Sequence, residues 1–226
     1  MNKNLGYSKG HNYLSNKVDT KYFLILNADC QINEENIKNL LESYKKYPDC
    51  GVISPTTFNN RFEHTYNGGL FFENENHRNI TEISGDTCFQ TVLGAAMLME
   101  KNFFFSIGKL NENMFLYFSD DDLCKKIRKY NKSVIQSESA KAFHIHGKSK
   151  VKNILKRTYL REFNMTYDQL YYFHTNKLEN ILFKKLKKQH FNYLFKVIIN
   201  LFLFKFNKFI YFFSRISAYY KFLIKN

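Results

Sequence analysis

The stretch KYFLILNAD, Lys21–Asp29, is a continuous apolar run that closes on an amide and a carboxylate. A run of this length with polar flanks predicts a strand buried on both faces, as in a parallel sheet covered by helices. The next segment, NEENIKNLLESYKKYP (Asn33–Pro48), changes period, with Ile37, Leu40, Leu41 and Tyr44 at helical spacing. Asn33 is the expected N-cap and Pro48 the stop. CGVISPT (Cys50–Thr56) then returns to a strand pattern. Strand, helix, strand in that order is a βαβ unit, and it places the chain in the α/β class.

Outward from this unit, the pattern between Phe58 and Thr87 is mixed, with a turn at NGG (Asn67–Gly69). FQTVLGAAMLMEKNFFFSIG (Phe89–Gly108) predicts an apolar strand, a patch of small residues and a short helix. FLYFSDDDLCKKI (Phe115–Ile127) sets three adjacent carboxylates at the head of an amphipathic helix with Leu123, Ile127 and Tyr130 on one side. SVIQSESAKAFHIHGKS, residues 133–149, reads as an edge strand running into a loop. No internal repeat is visible. From Val151 onward the pattern is helical and aromatic-rich, so the expected division is a domain over 1–150 and a helical tail over 151–226.

Hydrophobic content of 44% with 24% charged residues describes a globular protein, not a disordered one. The net charge of +14 is concentrated: Lys177–Asn226 holds eleven Lys or Arg and one acid, Glu179. That charge sits in a very apolar segment without a nucleic-acid-binding motif, so no nucleic-acid partner is expected. Cys30, Cys50, Cys88 and Cys124 show no CxxC pairing and read as reduced thiols of a cytosolic protein. The opening residues are polar and do not read as a signal peptide. HFNYLFKVIINLFLFKFNKFIYFF (His190–Phe213) is strongly apolar but interrupted by Lys196, Lys205 and Lys208. Three lysines oppose a membrane span, and the pattern favours a segment lying on a membrane surface with its lysines toward anionic headgroups. The competing reading packs it on the protein's own domain or on a partner.

Four fragments could carry chemistry. Asp29 at a strand end could hold a divalent cation with Asn27 in support, or simply open a turn. Asp120, Asp121 and Asp122 could start a helix, since Ser119 and Asp122 form a capping-box-like pair, or could include a base raised by its neighbours. His144 and His146 share a side of an extended segment, as a metal ligand or as buried histidine. NLGYSKGHN (Asn4–Asn12) lacks the spacing of a phosphate-binding loop and reads as a loop.

Taken in order, the blocks NLGYSKGHN, FLILNADC, the long run from Val92 to Asn131 and HIHGKS resemble the family 2 glycosyltransferases of GT-A fold, of the rhamnosyltransferase-like kind. The resemblance covers residues 4–149. It implies a GT-A α/β fold in which Asp29 and His144 bind Mg²⁺ or Mn²⁺ and Asp120 is the general base. It also implies that Asn4, Gly6, Gly10, Asn12 and Asn27 lie near the nucleotide-sugar donor, and that Gly94, Ala95 and Asp122 lie near the acceptor. Asp121 is expected to be solvated. The implied reaction is inverting transfer of rhamnose or another hexose to a saccharide or lipid-linked acceptor. Its implied setting is cell-surface polysaccharide synthesis, peripherally on the cytoplasmic face of the membrane. Three positions depart from the family pattern: Ser119 for glutamate, one carboxylate in NAD, and LNEN for FDE. Family members also carry further strands ahead of the first block. A chain incomplete at its N-terminus is therefore expected, with a partner chain supplying the missing part, or an inactive remnant that binds a membrane or partner.

Overall fold

A computed structural model of the chain describes residues 4–59, 61–64, 68–73, 79–80, 83–145 and 151–225, with the backbone alone at 79–80 and 179–188. The chain divides into two compact units. One comprises Lys9–Asn111 and Ser119–Lys148, the other Met1–Ser8, Glu112–Phe118 and Ser149–Asn226. In chain order the elements are α1 (Gly6–Ser15), β1 (Tyr22–Leu26), β2 (Cys30–Gln31), α2 (Glu34–Lys46), β3 (Cys50–Phe58), β4 (Gly68–Gly69) and β5 (Asn79–Ile80). They continue as β6 (Thr87–Cys88), β7 (Thr91–Val92), β8 (Ala96–Glu100), α3 (Lys101–Ser106), α4 (Ser119–Lys129) and β9 (Ser133–His144). Three helices close the chain: α5 (Ile154–Thr175), α6 (Glu179–Phe202) and α7 (Phe206–Lys225).

The first unit is built on a sheet of order β1-β8-β3-β9-β2, with β6 added to β9, and a small sheet of order β5-β4-β7. Helix α2 forms as its sequence period demands. Asn33 Oδ1 accepts from the Asn36 N–H at 2.9 Å, Glu34 and Glu35 occupy the first turn, and Lys45 and Lys46 the last. Leu40 and Tyr44 pack with Ile53, Leu98 and Ile135 on one face of the sheet. Ile37, expected on that face, is 37% exposed. On α4, Leu123 and Ile127 are fully buried, while Tyr130 lies mostly in solvent. Gly51 permits close packing: a Cβ there would stand 2.4 Å from Ile127 Cγ2.

Two strand expectations are corrected. Strand β1 pairs with β8 in antiparallel fashion, and only Ile25 of its five residues is buried. Among the described residues it lies at the sheet's edge. An apolar run reports that a strand is sheltered but not the direction of its neighbour. Strand β9 is interior, parallel to β3 on one side and antiparallel to β2 and β6 on the other. It carries two polar residues in its interior stretch, Gln136 and Ser137. Both are buried and bonded to Thr56, whose Oγ1 donates to the Ser137 carbonyl at 2.9 Å and accepts from Gln136 Nε2 at 3.3 Å. The register then jumps between Pro55 and Thr56, carrying Glu138, Ser139 and Ala140 out of the ladder with β3.

In the helical unit, Asn153 caps α5 by accepting from the Lys156 N–H at 3.0 Å. Tyr159, Phe163, Tyr167 and Tyr171 stack successively at four-residue spacing, with centroids 5.6–6.4 Å apart. Tyr167 and Leu170 pack with Ala218, Tyr219 and Phe222 of α7. Glu162 is buried and ion-paired to Arg161 at 2.9 Å and to Arg215 at 2.7 Å. The apolar run His190–Phe213 is broken into two helices at Phe204, which adopts φ 52°. Asp168 is fully buried on α5. Its Oδ1 accepts from the Phe115 N–H at 2.9 Å, and its Oδ2 accepts from Leu116 and Tyr117 at 2.8 and 2.9 Å.

Candidate active site

The sheet register brings three strand ends together. Leu26 at the end of β1 lies opposite Ala96 at the start of β8. The chain then turns, with the Asn27 N–H donating to the Ala95 carbonyl at 2.9 Å and the Cys30 N–H to the Asn27 carbonyl at 3.0 Å. Cys30 pairs with His144 at the end of β9, and the Ile145 N–H donates to the Asp29 carbonyl at 2.9 Å. These backbone bonds leave Asp29 Oδ1 3.3 Å from His144 Nε2. Asp29 is 35% exposed along its side chain and His144 only 7%, so the imidazole is fixed and the carboxylate is open to solvent.

Asp29 and His144 fit a hard divalent cation as a two-donor chelate. Two donors about 2.1 Å from one ion and roughly at right angles stand about 3.0 Å apart, close to the separation found here. No group of three or more His, Cys, Asp or Glu side chains converges among the described residues, so water and phosphate oxygens would have to complete the shell. His146, Gly147 and Ser149 lie outside the described residues.

The carboxylate cluster opens α4 as its charge pattern predicts. Asp120 Oδ2 accepts from the Gly94 N–H at 2.9 Å and Oδ1 from the Asp121 N–H at 3.1 Å. Burial pushes the Asp120 carboxyl above the ordinary aspartate range, and those N–H bonds pull it partway back. Asp121 is not solvated filler. It is half-buried beside Thr91 and is pushed up to about 7, first by burial and then by the charge of Asp120. The sequence signal for Asp121 was adjacency alone, and adjacency does not tell a buried carboxylate from a hydrated one. Ala95 is 1% exposed, packed with Cys30, Ala96 and Ala142. The Gly94–Ala95 turn thus ties Asp120 to the Asn27 end of β1 through consecutive residues.

Two of the residues expected near substrate are buried. Asp122 is 2% exposed and ion-paired to Lys126 at 3.1 Å, so its carboxylate ties the first turns of α4. Asn12 is likewise buried. Its amide bonds the Leu110 backbone in both directions, donating at 2.9 Å and accepting at 3.1 Å. Those bonds anchor the helix and occupy the groups expected near a donor. NLGYSKGHN is itself mostly helix, not loop. Asn4 Oδ1 accepts from the Gly6 N–H at 2.9 Å, and Gly6 begins α1 with φ +78°. A Cβ at Gly6 would lie 2.4 Å from the Phe115 carbonyl, so that position requires glycine. Gly10 is on the helix with open space around it. Asn4 and Gly6 belong to the helical unit, Gly10 and Asn12 to the sheet-bearing one.

Asp168, which sequence reasoning missed, is the clearest unpredicted polar anchor. Its signal was present: it is the lone acid in the aromatic stretch FNMTYDQLYYF, next to the stacked Tyr167.

Residues 1–103 match the model of glycosyl transferase family 2. The chain is 27% identical over 158 residues to the low-salt glycan biosynthesis hexosyltransferase Agl10 of Haloferax volcanii, covering 62% of this chain and 49% of that protein. It therefore spans about half the length of the curated relative it matches. The crystal structure of GalNAc-T7 with UDP, GalNAc and Mn²⁺ superposes with a TM-score of 0.54 at 11% identity, over 74% of this chain and 37% of that one. At that identity the likeness establishes the fold, a mixed α/β arrangement of GT-A type.

Proposed function

We propose that this chain, which carries a glycosyl transferase family 2 domain in a GT-A fold, moves a hexose from a nucleotide-sugar to a hydroxyl of a saccharide or lipid-linked acceptor during glycan synthesis. The observation that carries the proposal is the Asp120 carboxylate, held by the Gly94 N–H on the same turn that anchors Asn27, two residues before the Asp29–His144 pair. Glycosyl transfer to a hydroxyl needs a base for the O–H proton and a stabilised diphosphate leaving group. Asp120 takes the acceptor proton as the acceptor oxygen bonds to the anomeric carbon and the bond to the diphosphate oxygen breaks. Attack from the face opposite the diphosphate inverts that carbon. Burial raises the basicity of Asp120, the direction a proton-abstracting carboxylate needs. Asp29 and His144 would hold a Mg²⁺ or Mn²⁺ ion, whose chemistry there is neutralisation of diphosphate charge.

The test is transfer from a panel of nucleotide-sugars with Mn²⁺, comparing the native chain with Asp120→Asn. Loss of a general base lowers turnover by about 10²–10⁴-fold, with the fold retained by circular dichroism. Equal turnover in the variant removes the base assignment. Paired measurement of Mn²⁺ binding by electron paramagnetic resonance should show weaker binding in Asp29→Asn, whatever the activity.

A further inference from the structure

We infer that the α6–α7 hairpin of the helical unit is a docking surface for an anionic phospholipid bilayer. The inference stands on the helical unit alone and does not depend on the transfer reaction.

The base of the hairpin is fixed inside its unit. His190 stacks on Tyr219 with centroids 4.5 Å apart, and Arg215 donates to Tyr193 at 3.0 Å while pairing with Glu162. The tip is different. Leu201, Phe202, Leu203, Phe204 and Phe206 are exposed by 48, 77, 54, 77 and 53%. Phe204 carries this exposure at φ 52°, a position where a turn facing water takes Gly or Asn. The backbone strain thus presents an aromatic ring outward. Phe191, Phe195 and Ile198 continue the apolar face along α6 at 70, 65 and 54% exposure. A contiguous apolar surface of this kind marks an interaction site.

Charge selects the occupant. From Gln189 to Asn226 there are six Lys or Arg and no Asp or Glu. Beside the tip, Lys196, Asn200, Lys208, Tyr211 and Phe212 line a notch of about 420 Å³. Lys196 Nζ lies 5.2 Å above the Phe212 ring, and Lys205 and Lys208 are exposed. Apolar side chains at the end of a hairpin, ringed by lysines without acids, match the acyl boundary and the phosphate layer of an anionic leaflet. No helix among the described residues is long and apolar enough to cross a membrane, so the hairpin is placed on the surface, with its tip among the acyl chains. The notch between Lys196 and Lys208 takes a lipid phosphate. The segment read from the sequence as lying on a membrane surface is a broken helix pair, and its turn is the part that enters the leaflet.

The test is flotation of the full chain with phosphatidylcholine vesicles and with vesicles containing about one-third phosphatidylglycerol. The native chain floats with the anionic vesicles and less with the neutral ones. Phe202→Ser combined with Phe204→Ser lowers partition about tenfold or more. Lys196→Gln combined with Lys208→Gln removes most of the preference for anionic vesicles, about fivefold per lysine. Phe204→Gly relieves the left-handed strain, so it raises the melting temperature while still weakening partition. A chain that stays in the aqueous fraction with both vesicle types overturns the inference. So do Phe variants that partition like the native chain, or a tip that instead drives concentration-dependent dimerisation without vesicle binding.

Discussion

Asp168 offers the sharpest test of how the helical unit is held. The carboxylate is fully buried and accepts three consecutive backbone N–H groups, two on Oδ2 and one on Oδ1. Burial raises its pKa and the three donors oppose that rise, so the site is a balance of desolvation against charge-assisted bonds. Asp168→Asn can keep its remaining oxygen toward Leu116 and Tyr117, but it then turns an amide N–H₂ toward the Phe115 donor. One charge-assisted bond is lost, worth about 1.5–3 kcal/mol, and removal of a buried charge returns part of it. The expected net loss is about 1–2 kcal/mol, a fall in melting temperature of about 2–8 °C for a chain of this size. Asp168→Ala leaves all three N–H groups without this acceptor and should cost about 3–5 kcal/mol. Thermal and urea melts followed by circular dichroism measure both variants. An Asn variant as stable as the native chain, or an Ala variant no worse than Asn, would mean that backbone cohesion here does not depend on the carboxylate.

Two further outcomes follow from the sheet-bearing unit. The folded pKa of Asp121 is about 7, while an unfolded aspartate titrates near about 3.9. The native state therefore holds its proton more tightly. The stability linked to this group is complete below the unfolded value and is lost as pH rises through about 7. Melts should show lower stability above neutrality than in mild acid, and Asp121→Asn should flatten that dependence; an unchanged slope contradicts the shift. Asn33→Ala removes the cap on α2 and should cost about 1 kcal/mol in denaturant melts. A change below about 0.3 kcal/mol would show that tertiary packing alone starts the helix.

Much of the fold was legible in local pattern. The period of Ile37, Leu40, Leu41 and Tyr44, bounded by Asn33 and Pro48, specifies α2 because helix spacing, cap and stop are local properties. The carboxylates of Asp120–Asp122 mark the start of α4 for the same reason, since charge at a helix N-terminus acts within one turn. The order of blocks along the chain resembled the family whose model matches residues 1–103, and it led to the GT-A fold.

Only the tertiary structure decided which side chains use those local positions. Asp29 and His144 are more than a hundred residues apart, and they meet because Cys30 pairs with His144 across a two-residue strand that no run of apolar residues announced. Asp120, Asp121 and Asp122 are chemically identical in sequence. Helix rotation gives one to the Gly94 N–H, one to the neighbourhood of Thr91 and one to Lys126. Sequence determines what each residue can bond and how its neighbours repeat. Burial and long-range pairing, which depend on residues far along the chain, decide which of those bonds is made.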